Sequence, residues 1–354
     1  MAAPSIYGLS RRGLLGASLA LAACQPQARS QPVPALPPLK SLAPFRVGTA
    51  VQAVHLNDPA LAGLIAAQVS QLTPEWEMKM EYMLRDDGGL RFDAPDAIAA
   101  FARAHGLALF GHTLIWYAQS SPAFERLDES RVSFAGAYRN YIHAVMGRYR
   151  GVAVGWDVVN EPIAEDGEGW RDSLWSQRLG AFEHIADAYR HAREADPGAA
   201  LFINDYNLES IPKKRASFLR LVERLLRAGV PLDGVGTQTH IDADLAPGEL
   251  TRTLGELAQF GLPVHVSEFD VSIRRAGGLL RQRGDLQRAQ AALYAEAAEA
   301  FMSLPARQRF AFSFWGLRDS ESWLLREDGA DTPLPFDAAG RPKAAARAWA
   351  ERVG

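Results

Sequence analysis

Eight times along this chain a short β-prone run is followed by a helix-prone stretch, and that alternation restricts the fold more than any other feature. The β-like runs are 46–51, 71–73, 108–114, 153–159, 200–204, 234–238, 263–267 and 309–314. Between them lie Ala-, Leu-, Arg- and Glu-rich segments with apolar residues three and four apart, as in 132–149, 174–194, 214–228 and 287–303. Eight strand–helix units predict an α/β architecture, a (β/α)8 TIM barrel, over residues 45–354. The alternative is a doubly wound open sheet, but no Gly-rich phosphate turn follows the first strand. With 354 residues, 48% of them hydrophobic, the chain can fill one large core. No internal repeat, second domain or appended module is expected.

The first 44 residues read differently. Residues 1–24 resemble an export signal: Arg11 and Arg12 precede the apolar run Leu14 to Ala23, which is too short to span a bilayer. Ser10-Arg11-Arg12-Gly13-Leu14-Leu15 resembles a twin-arginine signal, and two arginines also suit the general route. Leu21-Ala22-Ala23-Cys24 resembles a bacterial lipobox, in which the cysteine is acylated; ordinary cleavage near Ala22 or Ala23 is the alternative. The expected location is the cell envelope as a lipoprotein, toward the outer membrane because Gln25 replaces a retaining aspartate, or else the periplasm or medium. Cys24 is the sole cysteine, so an intrachain disulfide is excluded. Residues 25–44 are Pro-rich and aperiodic, and predict an extended tether.

A net charge of −3 without any basic run argues against nucleic acid and against membrane contact other than through a lipid anchor. The eight histidines do not cluster along the chain at ligand spacing, so no metal and no cofactor are expected. The chain is read as a monomer.

In a (β/α)8 barrel the chemistry sits at the C-terminal strand ends. Here those ends are loaded with polar and aromatic residues: His112 and Trp116 after the third strand, Asn160 and Glu161 after the fourth, Asn204 and Tyr206 after the fifth, Gln238 and His240 after the sixth, Glu268 after the seventh and Trp315 after the eighth. Glycoside hydrolysis needs two carboxyl groups flanking one bond. Glu161, in Trp156–Pro162, and Glu268, in Val264–Val271, each follow an apolar strand directly. Taken singly, a strand-end glutamate is usually a surface residue.

These two segments resemble the acid/base and nucleophile motifs of glycoside hydrolase family 10, the endo-β-1,4-xylanases. GHTLIWYAQ, LFINDYN, GVGTQTHI and FSFWGLRDSESW resemble the family's signatures at strands three, five, six and eight, and the resemblance runs from Phe45 to Ala348. It implies a retaining, double-displacement hydrolase acting on xylan or xylo-oligosaccharides. By this resemblance Glu161 is the general acid and then the base, and Glu268 is the nucleophile. Asn160 holds the sugar 2-hydroxyl and His240 bonds the nucleophile. Asp270 is placed to orient that histidine, although a simple turn acid is the alternative. The chemistry requires unlike environments, with Glu161 protonated while Glu268 is ionised.

The same resemblance assigns Glu75 and Lys79 to sugars on the non-reducing side. His112, Trp116, Gln119 and Gln238 line the cleft, Trp315 and Trp323 wall it beside the scissile bond, and Tyr206 stands on the leaving-group side. Flat aromatics with polar neighbours suit sugars, and core packing is the alternative for each. Two positions depart from the family pattern. Trp76 stands in Pro74-Glu75-Trp76-Glu77-Met78-Lys79 where the family has asparagine, and Tyr117 stands where it often has histidine. Both bear on the distal donor subsite, leaving open a preference for short, decorated or non-xylan chains. The rival functions are a retaining barrel glycosidase for another β-1,4-glycan, such as a glucanase, and a non-catalytic barrel that binds polysaccharide at the cell surface.

Overall fold

The computed structural model describes residues 35–127, 130–276, 282–325 and 330–354. The leader over 1–24 with Cys24, and residues 25–34 of the tether, lie outside the described residues. The compact unit runs from Leu36 to Gly354, which corrects the expected boundary at Phe45. Leu39 is buried, and Leu36 and Leu42 pack against the same core. The Leu39 N–H donates to Gln68 Oε1 at 3.0 Å, and Lys40 Nζ donates to the Ala66 carbonyl at 2.6 Å. Three leucines spaced three apart thus dock the end of a segment whose prolines alone suggested an extended chain.

Eight parallel strands form the barrel: β1 Arg46–Val51, β2 Gln71–Pro74, β3 Ala108–Trp116, β4 Ala153–Asn160, β5 Ala200–Asp205, β6 Gly234–Thr237, β7 Val264–Ser272 and β8 Arg309–Phe314. Each pairs with the next in parallel, and β8 returns to β1 through Arg46↔Ala311 to Thr49↔Phe314. That closure excludes the open sheet. The segment His240–Asp242 adds a short pairing to the far end of β7. The outer helices follow in turn: α1 Pro59–Gln68, α2 Asp93–Ala104, α3 Arg131–Arg148, α4 Glu183–Ala195, α5 Pro212–Arg227, α6 Glu249–Ala258, α7 Arg283–Ser303 and α8 Ala344–Val353.

Local signals explain the boundaries. Asp58 caps α1 by accepting from the Ala60 and Leu61 N–H groups, with Pro59 in the first turn. Ser130 caps α3 through the Ser133 N–H. The helix predicted over 174–194 breaks at Gly180, whose φ of 102° suits glycine, into Leu174–Leu179 and α4.

Alternation along the strands stacks the barrel interior in layers. Phe110, Phe202, His265 and Phe310 form the floor, with ring centroids 4.5 to 5.9 Å apart. A Cβ at Gly234 would lie 2.2 Å from the Phe202 ring, so the glycine on β6 makes room for the aromatic on β5. Burial pushes His265 down to about 3, so it sits there neutral, 2.9 Å from Ser313 Oγ. Two residues further along the same strands come His112, Asn204 and Ser267, and the interior turns polar toward the mouth. Outside, Trp349 of α8 is fully buried against Phe312 and Phe314, at 5.4 and 5.5 Å. Truncating such a ring to alanine costs roughly 3–5 kcal/mol.

Candidate active site

Glu161 directly follows β4 with φ 57°, in the left-handed region that a non-glycine residue enters at a cost of about 1–2 kcal/mol. Its N–H donates to the Asn204 carbonyl at 2.7 Å, and Pro162 follows. This backbone turn carries the carboxyl out of the strand's alternation and toward the barrel axis. There Glu161 Oε1 accepts from Gln238 Nε2 at 2.9 Å and from Asn160 Nδ2 at 3.1 Å.

Glu268 is brought to the mouth by another irregularity. The register of β7 against β8 shifts between Val266 and Phe269, as at a β-bulge. Strict alternation would send Ser267 and Glu268 to opposite faces, yet both reach Asn204. Ser267 Oγ donates to Asn204 Oδ1 at 2.8 Å, and Asn204 Nδ2 donates to Glu268 Oε1 at 2.9 Å. The same Asn204 amide lies 3.0 Å from Asn160 Oδ1. A chain of amides therefore links the two carboxyls, both of them buried.

The second oxygen of Glu268 faces His240, with Nε2 at 3.2 Å from Oε2. His240 Nδ1 lies 2.9 Å from Asp270 Oδ2, which also accepts the Trp323 indole N–H at 2.8 Å. Burial works against a charged imidazole here, but Asp270 and Glu268 outweigh it and raise His240 to about 10. Burial also pushes the Glu268 carboxyl up. The electrostatic pull of His112, the hydrogen bond and charge of His240, and Lys79 overcome it and hold Glu268 below the usual range. Glu268 is thus held toward its ionised form although it is buried. Asp157, on β4 beneath His112, is raised by burial to about 6 against the pull of His112, whose Nδ1 is 2.8 Å away.

The remaining sequence candidates fall on two sides of this centre. Lys79 Nζ sits over the Trp116 ring at 4.8 Å and the Trp315 ring at 5.9 Å. Glu75 is buried and accepts from Gln52 Nε2 at 3.0 Å. Gln119 is buried and forms an isolated bridge with Trp116. His112 is almost wholly enclosed and meets Trp315 edge-on at 5.3 Å, so it lies beneath the cleft wall. Trp315 and Trp323 stand 6.0 and 5.1 Å from the His240 ring. Trp76 and Tyr117 are 40% and 37% exposed.

On the other side, Tyr206 donates to Glu165 and receives Arg171 Nη2 at 3.1 Å. Arg171 lies 4.0 Å over the Tyr117 ring, and its Nε donates to the Glu161 carbonyl at 3.1 Å. Lys214 is fully buried, 3.1 Å from Asp205 Oδ1 and 3.4 Å from the Tyr206 ring centroid. Burial raises Asp205 to about 7 despite Lys214. Sequence reasoning missed Asp157, Arg171, Asp205 and Lys214 and noted Asn204 only as a polar strand end. Arg171 lies in an irregular loop that offers no periodic signal.

Carboxyls held in unlike surroundings at one end of a closed barrel, flanked by aromatics, match what a glycosidic bond requires. The sequence matches the model of glycosyl hydrolase family 10 over residues 39–352. The chain belongs to glycosyl hydrolase family 10. An endo-1,4-beta-xylanase A from Caldicellulosiruptor sp. is 35% identical over 84% of the chain, which spans 45% of that longer relative. An endo-1,4-beta-xylanase from Geobacillus stearothermophilus is 33% identical over 85% of the chain and 93% of the relative. The structure of an intracellular xylanase mutant from Thermoanaerobacterium saccharolyticum, in complex with xylotetraose, superposes with a TM-score of 0.81 at 32% identity, covering 89% of this chain and 98% of that one. A family 10 (β/α)8 domain, 39–352 by the match, is the fold the sequence predicted.

Proposed function

We propose that this family 10 barrel is an endo-acting hydrolase of β-1,4-xylosidic bonds that works by double displacement with retention. The observation that carries the reading is the pairing of Glu161 and Glu268 through Asn160, Asn204 and Gln238. In the first step a carboxylate oxygen of Glu268 attacks the anomeric carbon. The bond to the leaving oxygen breaks, and that oxygen takes the proton of Glu161. The product is a covalent glycosyl-enzyme in which Glu268 is an uncharged ester. In the second step ionised Glu161 takes a proton from water as its oxygen attacks the same carbon, and Glu268 leaves as a carboxylate. Two inversions restore the original configuration.

The surroundings support these roles. His240 and Asn204 each hold one oxygen of Glu268, so the attacking group is oriented before substrate binds. Asn160, beside Glu161, is in reach of a sugar 2-hydroxyl. Lys79, Trp116 and Trp315 serve the non-reducing side, with Glu75 and Gln119 behind them. Tyr206, with Arg171, serves the leaving group. Xylose lacks the hydroxymethyl of glucose, so parallel rates and product sizes on linear xylo- and cello-oligosaccharides test the reading. Internal cleavage of xylohexaose is expected at rates at least about 100-fold above cellohexaose, as hydrophobic-pocket discrimination allows. Equal rates, or release of only terminal sugars, overturn it.

We also propose that the leader exports the chain and that Cys24 carries a lipid anchoring it to the envelope. Sequencing of the mature N-terminus checks this: a start at Cys24 supports the anchor, and any other start removes it.

A further inference from the structure

We propose that His143, His191 and Glu194 form a binding site for a zinc-type divalent cation on the outside of the barrel, apart from the catalytic centre. The histidines looked scattered along the sequence, but folding corrects that reading. His143 is near the end of α3, while His191 and Glu194 are one turn apart near the end of the neighbouring α4. One ligand atom from each lies within 4.8 Å of the others. His143 Nε2 is 3.2 Å and His191 Nδ1 is 3.6 Å from Glu194 Oε2. A tetrahedral ion with bonds of about 2.0–2.1 Å has ligand–ligand edges of about 3.3 Å, so two of the three edges are already near their bound length. The His191 Nδ1 atom is enclosed by protein yet has no hydrogen-bond partner, an arrangement that a buried polar atom tolerates poorly. A metal would satisfy it.

The donor set fixes the class of ion. Two imidazoles and one carboxylate suit Zn2+, Ni2+ or Cu2+, whereas Ca2+ and Mg2+ want oxygen ligands throughout. The position fixes the role. Helices α3 and α4 run back antiparallel to the strands they follow, so their last turns lie at the end of the barrel opposite the mouth. An ion there would tie two outer helices together and act on the folded state, with no route to the glycosidic bond. Arg139 Nη2 is 3.3 Å from the same Glu194 Oε2 and competes for it. The guanidinium is half exposed and can swing into solvent when a cation enters.

The test is calorimetric titration of the full chain with ZnCl2 and with NiCl2 at pH 7.5, together with thermal unfolding. One equivalent should bind at this site. At a free ion concentration 100-fold above Kd, Tm should rise by about 4 °C. His143→Ala/His191→Ala should lose that rise and weaken the one-equivalent site at least about 10-fold. Arg139→Ala should tighten it about 3-fold by removing the competing cation. His143→Gln, a change at a partly exposed position, guards against misfolding of the double variant and should weaken binding in the same way. Hydrolytic rates of all these variants should match the wild type. No stoichiometric binding by the wild type overturns the proposal. So does an undiminished Tm rise or affinity in the His143 variants, since the ion would then sit elsewhere.

Discussion

Replacing Asp270 with asparagine separates charge from shape at the centre of the site. The carboxylate faces His240 Nδ1 and accepts the Trp323 indole, and an asparagine Oδ1 can still do the second. His240 is lifted from 6.5 to about 10 by Asp270 and Glu268 against the pull of burial. At 1.36 kcal/mol per tenfold, that lift favours the protonated ring by roughly 4–5 kcal/mol. The folded value lies above the unfolded one, so this stabilisation is complete below about pH 6.5 and fades as pH rises through about 10. In Asp270→Asn, burial is opposed by Glu268 alone, and His240 should lose its proton near neutrality. Glu268 then loses a cationic partner and its carboxyl moves up. The assay is kcat/KM on an aryl xylobioside from pH 4 to 10. The variant should gain a basic limb between about pH 5 and 7 and lose about 10–100-fold at pH 8, with KM little changed because Trp323 stays in place. Its stability deficit, roughly 3 kcal/mol, should be largest below pH 6.5 and close toward pH 10. A uniform drop with an unmoved profile, or a deficit that grows toward pH 10, would refute the reasoning.

Trp76→Asn restores the amide that the family usually has at an exposed position. It should change KM and chain-length preference more than kcat on an activated xylobioside, and a kcat collapse without a binding effect contradicts that. Lys214→Met leaves Asp205 buried without its cation and should cost roughly 3–5 kcal/mol in thermal unfolding. Asp205 is raised to about 7, so below that it is neutral in the fold and needs no partner. The loss should therefore be smaller at pH 5 than at pH 8, and a pH-independent loss is the contrary result.

What the sequence revealed and hid has a physical pattern. Strand-end motifs such as Asn160-Glu161-Pro162 and Ser267-Glu268-Phe269 were legible because chemistry and local structure coincide in a few adjacent residues. The eightfold alternation exposed the barrel because each unit has its own period. The amide hub at Asn204 was not legible as a hub, since its partners Asn160, Ser267 and Glu268 come from three other positions along the chain and meet only when the strands align. Asp205 with Lys214, and His143 with His191 and Glu194, stayed hidden for the same reason. The docking of Leu39 was masked by surrounding prolines, whose composition argued for an extended tether while three leucines supplied the burial.

The catalytic assignment rests on which carboxyl attacks carbon and which moves protons, and azide rescue reads that directly. Glu268→Ala should abolish hydrolysis, and azide should restore it by attacking the vacated face, giving a glycosyl azide of inverted configuration. Glu161→Ala should still be glycosylated by substrates with good leaving groups, then stall, because general acid–base help worth about 10²–10⁴-fold is gone. Azide should then intercept the covalent intermediate and give a product of retained configuration. Proton NMR of the two glycosyl azides decides. Inverted product from the first variant and retained product from the second is the predicted result. The opposite pairing, or an inverted sugar from the wild type, contradicts the account.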